Sequence, residues 1–159
     1  MDLQRLLAPL AGEFDADEAL TSWRWLVPEH YRPLVLTAFG DLFLISNTGA
    51  VLFLDTAAGK CSEVASSIED WEGKLRDDRL INEWFMPGLL SELLEAGLSL
   101  CQGECYSAMQ PIILNGEFSA ANWRPTHWRV HFHSLGQIHD QVKDLPEGTK
   151  ITKINYTEI

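Results

Sequence analysis

Three cysteines and five histidines supply the side chains able to hold a metal or to act as nucleophile and base, and six of the eight fall between Cys101 and His139. Cys101 and Cys105 are followed by His127, His131, His133 and His139, so that a C-x3-C pair precedes an H-x3-H pair. Thiolates and imidazoles in that order invite a zinc reading. The spacer, residues 106–126, is longer than the roughly 12 to 15 residues of a zinc finger, and a β-hairpin is expected inside it. Cys105 with His131 has the elements of a thiol hydrolase, in which an imidazole activates a sulfur, but the local signatures of such enzymes are absent. No catalytic residue, metal ligand or cofactor is therefore assigned. A metal-binding or thiol-dependent enzyme using this His- and Cys-rich third stands as the alternative reading.

A second motif is a decoy. Ala57-Ala58-Gly59-Lys60-Cys61 follows a strand-like run in the manner of a phosphate-binding loop. Leu54 replaces the leading glycine and Cys61 the magnesium-binding hydroxyl, so the segment reads as a hairpin turn.

These residues must be positioned by one domain. A chain of 159 residues, 46% apolar, suits a single hydrophobic core. No apolar run reaches the ~18 residues of a membrane span, the N-terminus turns acidic where a leader would be cleaved, and three cysteines make no disulfide framework. The expected location is the cytoplasm. The formal net charge of −11 is carried by residues 1–104, with 18 acidic against 7 basic side chains, whereas residues 105–159 hold 5 of each. Such a surface repels nucleic acid and anionic lipid and speeds encounter with a basic protein.

Leu3, Leu6, Leu7 and Leu10 share one face of an expected short N-terminal helix, followed by Trp23, Trp25 and Tyr31 among prolines. From residue 34 to 65, short apolar runs alternate with Gly40-Asp41, Asn47-Thr48-Gly49 and Ala58-Gly59-Lys60, which reads as an antiparallel meander. Residues 42–45 and 51–54 are apolar without alternation, so both faces of these strands should be covered. Ser66 and Glu69 form a capping box at the start of a helix carrying Trp71 and Leu75. A further helical pattern through Trp84, Phe85 and Leu93 is interrupted at Pro87-Gly88 and closed at Gly97. Further on, residues 110–118 read as a hairpin about Asn115-Gly116 and residues 128–132 as a strand placing His127, His131 and His133 on one face. Ser134 caps an expected helix, and residues 151–159 offer a last strand. The fold class expected is α+β, a central antiparallel sheet packed by helices. Residues 1–33 form an N-terminal helical and aromatic segment and residues 34–159 the main domain, together one structural unit.

Several stretches resemble a known family. Gly40-Asp41-Leu42-Phe43, Gly49, Leu54-Asp55, Gly59 and Glu69-Asp70-Trp71 in the first half are similar to bacterial immunity proteins that accompany type VI secretion toxins. So are Gly103-Glu104-Cys105-Tyr106, Gly116-Glu117, Pro125-Thr126, Val130-His131-Phe132, Leu135-Gly136-Gln137-Ile138-His139, Gln141-Val142-Lys143-Asp144-Leu145-Pro146 and Gly148-Thr149-Lys150-Ile151 in the second. The likeness spans about residues 40–151. It departs at Met109-Gln110, at residues 112–115, and at Trp123 and Trp128. The resemblance implies a non-enzymatic α+β antidote that forms a heterodimer with a basic, DNA-cleaving toxin domain, blocking or distorting its active site, with neither nucleic acid nor membrane as a ligand.

The densest acidic cluster runs through the central helices. Its spacing is that of the wet side of amphipathic helices; with the resemblance it becomes equally a docking face. Glu69, Asp70, Glu72, Asp77, Asp78 and Glu83, around Trp84 as an aromatic anchor, are the candidate partner-binding residues.

Overall fold

The computed structural model describes residues 2–10 and 12–158. Its centre is an antiparallel meander of β1 (Arg32–Leu36), β2 (Leu42–Ile45), β3 (Val51–Asp55) and β4 (Lys60–Ala65), hydrogen-bonded in that order. The turn residues named above fall between the strands, save Lys60, which opens β4. Leu42 faces Leu54 and Phe43 faces Phe53 across β2 and β3.

Period-two geometry sends alternate residues of these strands to opposite sides. Phe43, Val51 and Phe53 enter a core with Trp71, Trp84, Phe85, Leu90 and Leu93, contributed by α2 (Ile68–Lys74), α3 (Asp78–Phe85) and α4 (Pro87–Glu95). Leu42, Leu44 and Leu54 enter a second core with Trp23, Trp128, Phe132, Leu135 and Ile138. The sheet is thus covered on both faces, which explains why its central strands lack polar alternation. Phe43 is the hub of the first core, with ring centroids 5.2 Å from Trp71 and 5.4 Å from Trp84. Burying each such ring is worth about 2–3 kcal/mol.

Helix boundaries follow local chemistry. Ser67, one residue beyond the expected cap, accepts from Asp70 N–H at 3.0 Å, while Asp70 reaches back to Ser66 N–H at 2.9 Å. The pattern ahead of Gly97 is two helices. Pro87 disfavours helical geometry at Met86, which adopts a left-handed conformation (φ 45°) and separates α3 from α4.

Four expectations fail for identifiable reasons. The N-terminal leucines form only a 3-10 turn, Leu3–Leu6, because Pro9 bars a longer helix and Leu7 bridges to Thr37 at the sheet margin. Residues 110–118 form no hairpin. The second sheet instead pairs β5 (Glu104–Ala108) with β6 (Trp123–His127) around a loop containing the 3-10 turn Ile112–Leu114. Residues 128–132 are not a strand but the start of α5 (Trp128–Val142), capped by His127 rather than Ser134. Trp128, Phe132, Leu135 and His139 fall on one helical face there. Finally, no strand forms among residues 150–158, where Asn155 and Thr157 bond to side chains of α5 instead; Ile159, the end of the expected strand, lies outside the described residues.

The N-terminal aromatics join this framework. Trp23 is fully buried and its indole N–H donates to Phe132 O at 2.9 Å, while the Trp25 indole donates to Gly136 O at 3.2 Å. Gly136 permits the approach, since a Cβ there would meet Ser22 O at 2.5 Å. Among the described residues, no helix is long and apolar enough to cross a membrane.

Candidate functional site

The histidine-rich segment fastens α5 to the sheet. His131 is buried, with Nε2 3.0 Å from Thr56 Oγ1 and 3.2 Å from Gly40 O, and Nδ1 2.9 Å from Ser107 Oγ. Thr56 also binds Asp41 Oδ1 through its N–H at 2.8 Å and its hydroxyl at 2.9 Å. One set of donors satisfies the chain: Ser107 O–H to Nδ1, Nε2–H to Thr56 Oγ1, and Thr56 O–H to Asp41. Burial pulls the His131 imidazole down to about 4. Burial, with the Asp55 carboxylate adding to it, pushes the Asp41 carboxyl up to about 8 against the opposing bonds from Thr56. Both groups favour their neutral forms, as a low-dielectric interior demands.

His139 repeats the device one strand pair away. Its Nε2 lies 2.9 Å from Thr56 O, and its ring covers Gly59. His127 accepts from Arg129 N–H at 3.2 Å and lies against Gly103. His133 points elsewhere, toward Ser22 and the C-terminal tail. On a helix His131 and His133 diverge, which undoes the common face expected from a strand.

This geometry gives the metal and thiol readings no support. Among the described residues, no group of three or more His, Cys, Asp or Glu side chains could hold a metal ion. Cys105 is fully buried in the second core and Cys101 is exposed. Burial pushes the Cys105 thiol far above its ordinary range, and the Cys61 thiol up to about 11. Both nitrogens of His131 are already engaged by oxygen partners, so no thiolate and imidazole pair is poised for attack.

The acidic residues lie on the outer side of α2, α3 and their junction. Glu69, Glu72, Asp77, Asp78 and Glu83 are exposed, and Asp70 is half-buried. Asp70 is held by Lys74 at 3.2 Å, and the Ser66 N–H, ahead of Lys74, keeps its carboxyl below the usual value. Asp77 caps α3, accepting from Arg79 N–H at 2.9 Å. Arg79 also lies 3.8 Å from Asp77 and 4.0 Å from Glu83. Among the described residues, Glu69, Glu72 and Asp78 enter no ion pair or side-chain hydrogen bond, which leaves their charge facing solvent. Trp84 departs from the expectation: only 3% exposed, it packs on Phe43 and Phe53 and is a core residue, not a surface anchor. Its place four residues before Gly88 and beside Phe85 marks the inner face of α3, a signal that burial and anchoring share in sequence.

Residues 65–139 match the family described as T6SS immunity protein Tdi1, C-terminal. The match supports an immunity role in type VI secretion. It covers just under half of the chain, from the end of β4 to His139 in α5. The Tdi1-like segment therefore contains the whole acidic helical face, the β5–β6 pair and the histidines that meet Gly40 and Gly59, whereas β1 to β3 lie ahead of it. A comparison with curated proteins gives no match.

Proposed function

We propose that this chain is the antidote to a DNA-cleaving toxin delivered by type VI secretion, and that it acts by occupying the toxin, not by converting a substrate. The observation carrying the reading is the match of residues 65–139 to an immunity family. The nuclease half is supported by charge. Residues 69–95 hold eight carboxylates against three cations, and a protein that grips DNA must present Lys and Arg to phosphates. Acidic groups placed against such a surface compete with DNA and accelerate capture. Glu69, Glu72, Asp77, Asp78 and Glu83, with Asp70 at the margin, form the docking face in this reading. Trp84, buried beneath it, takes no part.

The product is a one-to-one heterodimer in the cytoplasm, with no nucleic acid or membrane partner for the antidote itself. Antidotes are encoded beside their toxins, so the test is co-expression with the product of the adjacent gene. Co-purification of the two chains in equal amounts, and survival of cells that otherwise die from the toxin, are expected. Absence of a complex at micromolar concentrations, with the toxin active, would refute the assignment.

A further inference from the structure

The C-terminal tail is held by a ladder of side chains on α5 that reads its backbone at Asn155 and Thr157, with one side-chain contact, the Thr157 hydroxyl donating to Gln137 Oε1 at 3.1 Å. Gln141 Nε2 donates to Asn155 O at 2.8 Å and Gln141 Oε1 accepts from Asn155 N–H at 2.9 Å. Gln137 Oε1 accepts from Thr157 N–H at 2.6 Å, and His133 Nε2 lies 2.7 Å from Thr157 O. His133, Gln137 and Gln141 are successive turns of one helix face, about 6 Å apart along its axis. Asn155 and Thr157 are alternate residues of the tail, both with backbone groups turned to the helix, a spacing of about 6.6 Å in an extended chain. The two repeats coincide, so the helix face supplies an acceptor and donor set like the edge of a sheet, running antiparallel to the tail.

Bonds within the protein also orient the ladder. Gln137 Nε2 donates to His133 O at 3.2 Å and Gln141 Nε2 to Gln137 O at 3.0 Å, which fixes the direction of both amides. Ser22 Oγ lies 3.0 Å from His133 Nδ1, leaving Nε2–H to donate outward. The present occupant, in contrast, is lightly held. Residues 155–158 are exposed, and Ile154 is the apolar contact of this stretch with the second core. Segments with few buried contacts and exposed backbone bonds open at little free-energy cost.

We propose that the His133, Gln137 and Gln141 ladder is a docking site for an extended polypeptide strand, filled in the free protein by residues 155–157 and taken over by an extended segment of the toxin in the complex. The ladder follows from the geometry alone, and only the identity of the incoming strand rests on the proposed immunity function. Recognition runs mainly through backbone groups, as in strand addition to a sheet edge, and the side-chain demand is limited to an apolar residue at the Ile154 position and a hydroxyl at the Thr157 position, which donates to Gln137 Oε1 at 3.1 Å.

The probe is a synthetic peptide with the sequence of residues 150–158, titrated by NMR into the full chain carrying Asn155→Pro and Thr157→Pro. These exposed substitutions remove both tail N–H donors and leave the ladder open. Binding at least tenfold tighter than to the unmodified chain is expected. It should vanish when the peptide is N-methylated at the two positions, or when Gln137→Leu and Gln141→Leu are added. Equal binding by the N-methylated peptide, or no gain over the unmodified chain, overturns the ladder. In the unmodified chain, hydrogen exchange of the Asn155 and Thr157 amides provides a second measurement, expected to accelerate at least tenfold in the Gln137→Leu, Gln141→Leu protein; unchanged exchange also overturns it. Addition of the toxin should alter exchange at these amides. A toxin that binds without altering it removes the strand exchange but leaves the immunity function standing; a toxin that does not bind removes the function, while the peptide titration still decides the ladder.

Discussion

His131 lies over the bare Cα of Gly40 so closely that a Cβ built on the glycine would come within 2.2 Å of Nε2. The same relationship joins His139 to Gly59, at 2.3 Å from Nδ1. In both, a turn of the meander provides the hollow and α5 provides the ring that fills it. The histidines serve to register a helix against a sheet, and the buried bonds to Thr56 hold them there.

Substitution Gly40→Ala should therefore destabilise the protein by about 2–4 kcal/mol, through overpacking against a buried ring and a left-handed backbone at φ 78°. Gly49→Ala, also left-handed but with open space around it, isolates the backbone effect and should lose about 1 kcal/mol. Urea unfolding of the two variants measures the difference. Equal losses would remove the histidine contact from the account.

Stability should vary with pH in a way set by the same cluster. His131, lowered from 6.5 to about 4, contributes stability that is full above pH 6.5 and lost as pH falls toward 4. Asp41, raised from 3.8 to about 8, contributes stability that is full below about pH 4 and lost as pH rises toward 8. Their slopes oppose one another between about pH 4 and 6.5. From pH 6.5 to 8 Asp41 acts without that opposition, so stability should decline by roughly 1–2 kcal/mol. The Asp41→Asn variant should show a flatter profile over that interval in denaturant titrations.

Trp84→Ala should lower stability by about 3–5 kcal/mol, because it removes a ring from the first core. Trp84→Phe, which keeps most of that volume, should leave toxin affinity within about twofold as judged by calorimetry. A large selective loss of affinity in the phenylalanine variant would restore Trp84 to the interface.

Much of this architecture was legible in the residues. The meander declares itself because Gly40-Asp41, Asn47-Thr48-Gly49 and Ala58-Gly59-Lys60 can turn where apolar runs cannot, and Pro87 splits the helices by its effect on Met86. The segment from Trp128 to Phe132 misleads because its aromatic and β-branched residues favour strands locally. The apolar repeat through Leu135 and His139 wins once the sheet face is there to bury it. Asn115 does adopt the left-handed turn geometry, but Gly116 lies where a Cβ would be 1.8 Å from Gln110 O, inside a compact loop and not a hairpin. Residues 150–158 read as a strand because Ile154 and Tyr156 fall among polar residues, yet Asn155 and Thr157 find their partners in a row of side chains on α5. As for the candidate site, acidic composition was plain from sequence, whereas the inward direction of Trp84 depends on the register of α3 against Phe43.

Thiol reactivity should follow exposure. Cys101 should react readily with a disulfide reagent in the native protein, Cys61 slowly, and Cys105 only on unfolding. Counting modified sulfurs by mass spectrometry before and after adding denaturant checks the order. Rapid native modification of Cys105 would reopen the thiol chemistry.

Charge reversal on the open acidic face, Glu72→Lys with Asp78→Lys, should slow toxin association about tenfold at low ionic strength and flatten its salt dependence. Among the described residues neither side chain enters a hydrogen bond or an ion pair, but Asp78 lies in the first turn of α3, where a carboxylate favours the helix N-terminus, so the melting temperature should fall by only a few degrees. An unchanged association rate in stopped-flow measurements would exclude this face.

The most direct test is a DNA-cleavage titration, in which the purified toxin domain is incubated with supercoiled plasmid and increasing amounts of this chain. Cleavage should fall linearly and end at one antidote per toxin. Undiminished cleavage at a several-fold molar excess would contradict the claim that the chain works by occupying a nuclease.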